Sequence, residues 1–312
     1  MSTAKPRRPR LAGDRMTAQP PRRARAWAAF RRMMTSPVFW QAVVGLATAI
    51  AAITAVVISS RNLSASTEQF ELQQGQQQQQ QASDRFARAI DQLSSDRLET
   101  RLGAIYSLEQ VARDFPAQHP AVFEVITAYV RTHAPASVAC AGPTPPADGP
   151  APAADAQAAV TVIGRRDIGR DGPTRIDLSH SCLAGAALTD AHLSHADLSA
   201  TDLSGTDLLA ADLVGADLRC ATLAGADLRG TDLSNTILYD VVLTGADLSG
   251  TDLLGASLPG ADLRGTDLSG VANLIGANLT GVVHDETTIW PDGVTPPPAL
   301  PIDSPSRSRP CA

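Results

Sequence analysis

Aromatic side chains are scarce, at 4% of 312 residues, so one large core packed around rings is not expected. Cysteine is scarce as well. Cys140, Cys182, Cys220 and Cys311 show neither metal-ligand spacing nor regular pairing, and on that basis no disulfide framework is expected. The sequence also lacks a Gly-rich phosphate loop, an HExxH pair, a CxxC pair and a nucleophile elbow. His180, His192 and His195 cluster near one another in sequence but imply no convergent pocket. These absences argue against an enzyme, a bound cofactor or a metal centre.

Charge is present but divided. The formal net charge of −6 conceals a leader, residues 1–37, with ten basic residues against Asp14 alone, and a later stretch, 176–281, with fourteen Asp against Arg219, Arg229 and Arg264. The first sums to +9 and the second to −11.

Between the leader and the rest lies one long apolar run. Residues 38–58, VFWQAVVGLATAIAAITAVVI, carry no charge, which is length enough for about 30 Å of hydrocarbon. Phe39 and Trp40 sit where amphipathic rings favour the interface, and Pro37 suits a first helical turn. The run predicts a transmembrane helix in contact with the lipid bilayer. Against a cleaved signal peptide stand the long basic leader and the lack of a small-x-small site in SSRNLSAS. Against a twin-arginine signal stands Met33-Met34-Thr35 after Arg31-Arg32. The excess of basic residues before the helix, with only Arg61 close after it, places the N-terminus in the cytoplasm.

Residues 59–82 form a polar Gln-rich stalk, expected to be helical. From 83 to 133 apolar residues recur at three- and four-residue spacing: Phe86, Ile90 and Leu93, then Leu98, Leu102, Ile105 and Leu108, then Val122, Val125, Ile126 and Tyr129. This predicts three helices, with Ser95 or Asp96 capping the second and Pro120 opening the third. So small a unit needs a copy of itself, the stalk or the repeat domain to lean on. Residues 134–152, with six Pro, read as a disordered linker, and 296–312 as a disordered tail. Residues 153–175 contain a short helix expected to cover the first turn of the repeats that begin at Ile176.

From Ile176 to Gly281 the sequence falls into fives. Leu recurs at 178 and every fifth position to 268, then, after one inserted residue, at 274 and 279, giving 21 centres. The residue two before each centre is Ala twelve times and Thr six times, and the residue one before is Asp twelve times. A period of five suits neither a helix nor an alternating strand, and so regular a short repeat signals a solenoid.

These pentads, ADLSA, TDLSG, ADLRG and their like, resemble the pentapeptide-repeat family with its consensus A(D/N)LXX. The resemblance implies a right-handed quadrilateral β-helix, four pentads to a turn, with the centre Leu and the small residue two before it pointing inward. Twenty-one pentads then make about five turns, a rod of roughly 25 Å at the spacing of neighbouring strands. Each inward Leu contributes about 1.5–3 kcal/mol before conformational entropy is subtracted.

Residues twenty apart would stack, so Asp207, Asp227, Asp247 and Asp267 form one acidic face and Asp212, Asp232 and Asp252 its neighbour. The other faces are interrupted by Ile237, Tyr239 and Val242, a candidate apolar contact patch. His284 and Ile289 occupy the next expected centres, and Ile289 with Trp290 should close the coil within residues 282–295.

The helical stretch SDRFARAIDQLSSDRLETRLGAIYSLEQVARD is similar to a segment of membrane-anchored pentapeptide-repeat proteins of GC-rich bacteria. The resemblance implies a single-pass protein of the bacterial cell membrane and a cytoplasmic position for this segment, opposite to the charge rule, so both sides stay open for the repeat domain. The functional expectation is a membrane-anchored, non-catalytic scaffold that meets a protein partner, or a second copy of itself, through its acidic rod. The alternative is a DNA mimic that binds or protects DNA gyrase. Neither involves direct nucleic-acid binding.

Overall fold

The computed structural model describes residues 22–136, 140 and 151–298. Expectations for most of the basic leader, for the rest of the proline-rich stretch and for 299–312 concern residues outside those described. The chain divides into two units, 1–76 and 77–312.

In the first unit α1 (Arg22–Met34) precedes α2 (Pro37–Leu93), a helix that runs on into the second unit. Ser36 starts α2, its Oγ accepting the Phe39 N–H at 3.1 Å, and Pro37 takes the first helical position, where a missing N–H is no loss. Residues Pro37–Arg61 are long and apolar enough to cross a membrane. At 1.5 Å per residue they reach roughly 37 Å. Thr48 and Thr54 turn their hydroxyls back onto the carbonyls of Val44 and Ile50, so that neither hydroxyl is left as an unmet donor on the apolar surface.

The second unit contains the end of α2, α3 (Leu98–Asp114), α4 (His119–His133) and α5 (Ala154–Gly164). Ile105, Leu108, Val122, Ile126 and Val130 are fully buried, together with Val160, Val162 and Ile163 of α5. Two expected core positions are exposed instead, Ile90 at 37% and Leu98 at 38%; Ala82 and Ala89 are the buried residues of α2 beside Leu93, so its inward stripe is narrower than the apolar pattern implies. Neither Ser95 nor Asp96 caps α3: Arg97 precedes it without a side-chain bond, and Arg101 reaches back to the Ser95 and Asp96 carbonyls at 3.0 and 3.1 Å. Arg101 also meets Asp155 at 2.7 Å, and the Tyr129 hydroxyl donates to the same carboxylate oxygen at 2.6 Å, so one buried carboxylate joins α3, α4 and α5.

From Ile176 the chain winds as a β-helix solenoid. Parallel bridges link residues twenty apart, as in Asp207↔Asp227 and Asp212↔Asp232, which means four pentads per turn. Every Leu centre from 178 to 268 is at most 3% exposed. At the small inward position, Thr replaces Ala without leaving a stray hydroxyl: Thr231 donates to Leu208 O and Thr251 to Leu228 O, each at 2.8 Å. The fifth residue of the pentad needs a left-handed backbone, with φ of 63° at Gly205 and 66° at Gly225, and this explains the Gly found there so often.

The ends depart from the simple repeat. After the extra residue at 271 the bridges lengthen to Asp252↔Asn273, and a second slip gives Asp267↔Ile289. Ile289 therefore stands in the outward register, 51% exposed, while Trp290 takes the centre and packs against the core. Leu274 and Leu279 are only partly buried, because little stacks beyond them.

Candidate interaction surface

The first coil would end in open strand edges, and the preceding segments cover them. Arg131 donates to Asp177 O, Cys182 N–H to Ala134 O, Ala187 exchanges two 3.0 Å bonds with the Gln157 amide, and His192 N–H donates to Gly164 O. Arg166 closes the last edge on His192 O and is itself held by Asp171, which His119 also contacts at 3.0 Å. The α-helical unit and the coil consequently share one continuous apolar core.

Part of the proline-rich stretch belongs to this cover, contrary to the expectation of a disordered linker. Pro135 bridges Ser181 in antiparallel sense, Ala136 N–H donates to His180 O at 2.8 Å, and Cys140 is disulfide-bonded to Cys182. Cys220 is disulfide-bonded too, and among the described residues no cysteine is free. The expectation that the cysteines do not pair is thus overturned. Their spacing gave no signal because the pairing depends on coil geometry, which sets Cys182 on the edge that residues 134–136 cross. The Asp202 carboxylate lies within 4.8 Å of both bonded sulfurs.

On the coil, the residue before the centre Leu carries a turn wherever it is Asp or Asn. In all twelve Asp at that position, Oδ1 accepts the backbone N–H two residues on, at 2.8–3.3 Å. Asn273 and Asn278 do the same. Asp is therefore kept first for the turn, and the charge comes with it.

The expected acidic faces are stacked as ladders. Asp207, Asp227, Asp247 and Asp267 bridge in succession, and so do Asp212, Asp232 and Asp252. The residue after the centre Leu, to which the repeat pattern assigns no role, distinguishes them. Arg229 grips Asp227 with two bonds of 2.8 and 2.6 Å and lies 3.8 Å from Asp247, so the first ladder is interrupted by a cation. Its hydrogen bonds hold the Asp227 carboxyl below the usual carboxylate range. The second ladder has Val214, Ser234, Leu254 and Ile275 in that column, with Leu254 41% and Ile275 74% exposed. It therefore combines an uninterrupted run of three carboxylates with an apolar edge.

Arg219 and Arg264 clasp Asp217 and Asp262 as Arg229 clasps Asp227. Asp217 is nearly buried rather than facing water; burial alone would raise its carboxyl, but the bonds from Arg219 and the charges of Arg219 and Arg175 bring it below the usual range. The D-L-R triplets were the sequence signal for all three pairs. In the apolar patch, Ile237 and Tyr239 share one face at 36% and 44% exposure, whereas Val242 is half-buried on the next.

A family model of pentapeptide repeats matches residues 174–209, 196–235 and 236–271, in eight copies. This chain belongs to the pentapeptide-repeat family. Among solved structures, the pentapeptide repeat protein Rfr23 from the cyanobacterium Cyanothece 51142 is 41% identical over 30% of this chain and 63% of its own, with a TM-score of 0.30. HetL, a pentapeptide repeat protein involved in heterocyst differentiation regulation from Nostoc sp. strain PCC 7120, is 31% identical over 39% and 80%, with a TM-score of 0.21. QnrB1, a plasmid-mediated fluoroquinolone resistance protein, is 22% identical over 38% and 69%, with a TM-score of 0.20. The chain spans less than two thirds of the length of the first of these. No curated protein matches it. The pentapeptide-repeat match indicates a structural module, with no enzyme family indicated.

Proposed function

We propose that this pentapeptide-repeat protein is a membrane-anchored, non-catalytic scaffold that binds a protein partner through the second acidic ladder. The observation that carries this reading is the combination on one face of Asp212, Asp232 and Asp252 in stacked register with exposed Leu254 and Ile275. Solubility alone accounts for the carboxylates but not for an apolar column beside them. A partner with basic residues around an apolar patch fits both features. The apolar segment 37–61 supplies the anchor, with the leader on the cytoplasmic side. The coil is read as right-handed and four-sided, with self-association through Ile237 and Tyr239 as a further use of the surface.

The alternative, a DNA mimic directed at DNA gyrase, draws on the same carboxylates. It is weakened by Arg219, Arg229 and Arg264, each of which neutralises an Asp that such a mimic needs charged. The test places an apolar photo-crosslinking residue at Leu254, 41% exposed in the column beside the ladder, in the full chain in its own membrane. A defined crosslinked product that disappears with Asp212→Asn, Asp232→Asn and Asp252→Asn together is expected. A product unchanged by the triple substitution refutes the ladder as the docking face, and a product containing a gyrase subunit establishes the alternative.

A further inference from the structure

The cysteines say more about this domain than its acidic surface does. Cys140 and Cys182 are joined 42 residues apart, and Cys220 is bonded as well. Disulfides persist in oxidising compartments and are rare where the thiol pool is kept reduced. The bond also has a local role. It fastens the segment of residues 134–136 to the edge of the first coil, beside the backbone bonds Cys182 N–H to Ala134 O at 2.6 Å and Ala136 N–H to His180 O at 2.8 Å. Cys182 is 6% exposed, and the Asp202 carboxylate close to both sulfurs repels the thiolate that would have to attack them. These are features of a permanent bond rather than an exchanging one.

A second, independent observation concerns the charge about the apolar helix. Ten basic residues precede it and only Arg61 comes close after it, the distribution that retains the leader in the cytoplasm and sends the chain beyond the helix across the membrane.

We infer that the repeat domain is exported and oxidised there, so that the Cys140–Cys182 bond staples its N-terminal cap and its partner is a protein of the outer, oxidising side of the membrane. This inference rests on the anchored-scaffold reading and names the compartment of the partner. The two thiols lose two protons and two electrons to the disulfide of a thiol oxidoreductase, through a mixed disulfide, and that enzyme leaves as a dithiol. A cytoplasmic topoisomerase is then out of reach of the rod.

The experiment traps thiols in living cells with a membrane-permeant maleimide before lysis and digests the full-length protein for mass spectrometry. The expected result is one linked peptide pair containing Cys140 and Cys182, with neither cysteine labelled until a reductant is added. Maleimide on both cysteines without reductant overturns the inference. In spheroplasts, an impermeant maleimide should label a cysteine placed by Glu286→Cys on the exposed surface of the domain; labelling only after lysis places the domain inside and overturns it too. Carbonate extraction separates the two readings. A linked pair recovered in the soluble fraction refutes the anchor and leaves the export and oxidation standing.

Discussion

Leu228 lies midway along the coil, fully buried, with Leu208 and Leu248 one turn to either side. Replacing it with Ala removes three methyl-sized groups from an interior that has little freedom to close the gap. The coils are held apart at strand spacing by bonds such as Leu228 N–H to Asp247 O and Leu208 N–H to Asp227 O, at 2.9 and 2.8 Å, and collapse would break them. Large-to-small changes at sites of this kind cost about 3–5 kcal/mol, the more so where the cavity persists, and about 4 kcal/mol is expected for L228A. For a folding unit of this size that corresponds to a fall in Tm of roughly 8–16 °C. Leu274, also a centre Leu but only partly buried near the end of the coil, should cost less than half as much when changed to Ala. Both are measured by urea and thermal denaturation monitored by circular dichroism, with the m-value checked for constancy. A loss below about 1 kcal/mol for L228A, or equal losses at the two positions, would refute the argument that a Leu ladder in a rigid coil stabilises this domain.

Three further outcomes rest on particular groups. Reduction of the Cys140–Cys182 bond reopens a loop of 42 residues, and chain entropy assigns the closure about 4 kcal/mol. Without reductant the urea midpoint should therefore be lower in C140S/C182S than in the unaltered chain, and dithiothreitol should lower it less in that variant, where only the Cys220 bond remains to be reduced. Asp155 is 5% exposed at its side chain; burial would raise its carboxyl, but bonds from Tyr129 and Arg101 and the Arg101 charge hold it below the ordinary value. A depressed carboxyl stabilises the fold above its unfolded value of about 3.9 and loses that contribution as pH falls through the folded value, so D155N should flatten the acid limb of the stability curve below about pH 4. At neutral pH, D155N removes the counter-charge of Arg101 but leaves its bonds to the Ser95 and Asp96 carbonyls, and should cost about 1–3 kcal/mol in a denaturation measurement. The triple change D212N/D232N/D252N should alter stability by less than about 1 kcal/mol, since the amide oxygen keeps the turn bond, as at Asn273 and Asn278; a larger loss would show that the charge itself is structural.

The period of five in the sequence shows which side chains point inward, because a narrow interior admits only Leu at the centre and a small residue two before it. It also shows the stacking at twenty, and hence both ladders. It does not show what each pentad does to its own charge. Arg229 neutralises Asp227 across a single pentad, an interaction in the column after the centre Leu, where the composition varies most. The ends were less legible for another reason. Single-residue slips at 271 and again before Ile289 move every later residue one register, so Ile289 and Trp290 exchange the places their spacing assigns them. The cover of the first coil draws on Arg131, Ala134, Gln157 and Gly164, scattered over three segments with no shared pattern. Cys140 and Cys182 belong with these, since their proximity is a property of the folded cap.

The pentad leaves few places where a partner can be specified. Two of its five positions are committed to the interior, the residue before the centre Leu is committed to the turn wherever it is Asp or Asn, and the fifth to a left-handed backbone. The position after the centre is free of these duties in every pentad, and it is there that Leu209, Arg219, Arg229, Tyr239, Leu254, Pro259, Arg264 and Ile275 appear among Ser, Thr, Ala and Val. Acidity is common to any coil built on Asp turns and so discriminates weakly between partners, whereas the column after the centre Leu sets which carboxylates stay unpaired and which lie beside apolar surface. The second ladder is set apart by what accompanies its acids: no Arg in that column, and two exposed apolar residues in it, Leu254 and Ile275, where the first ladder has Leu209 and Arg229. Specificity in this rod therefore resides in the least regular position of its repeat, and the regular positions serve to hold that column straight.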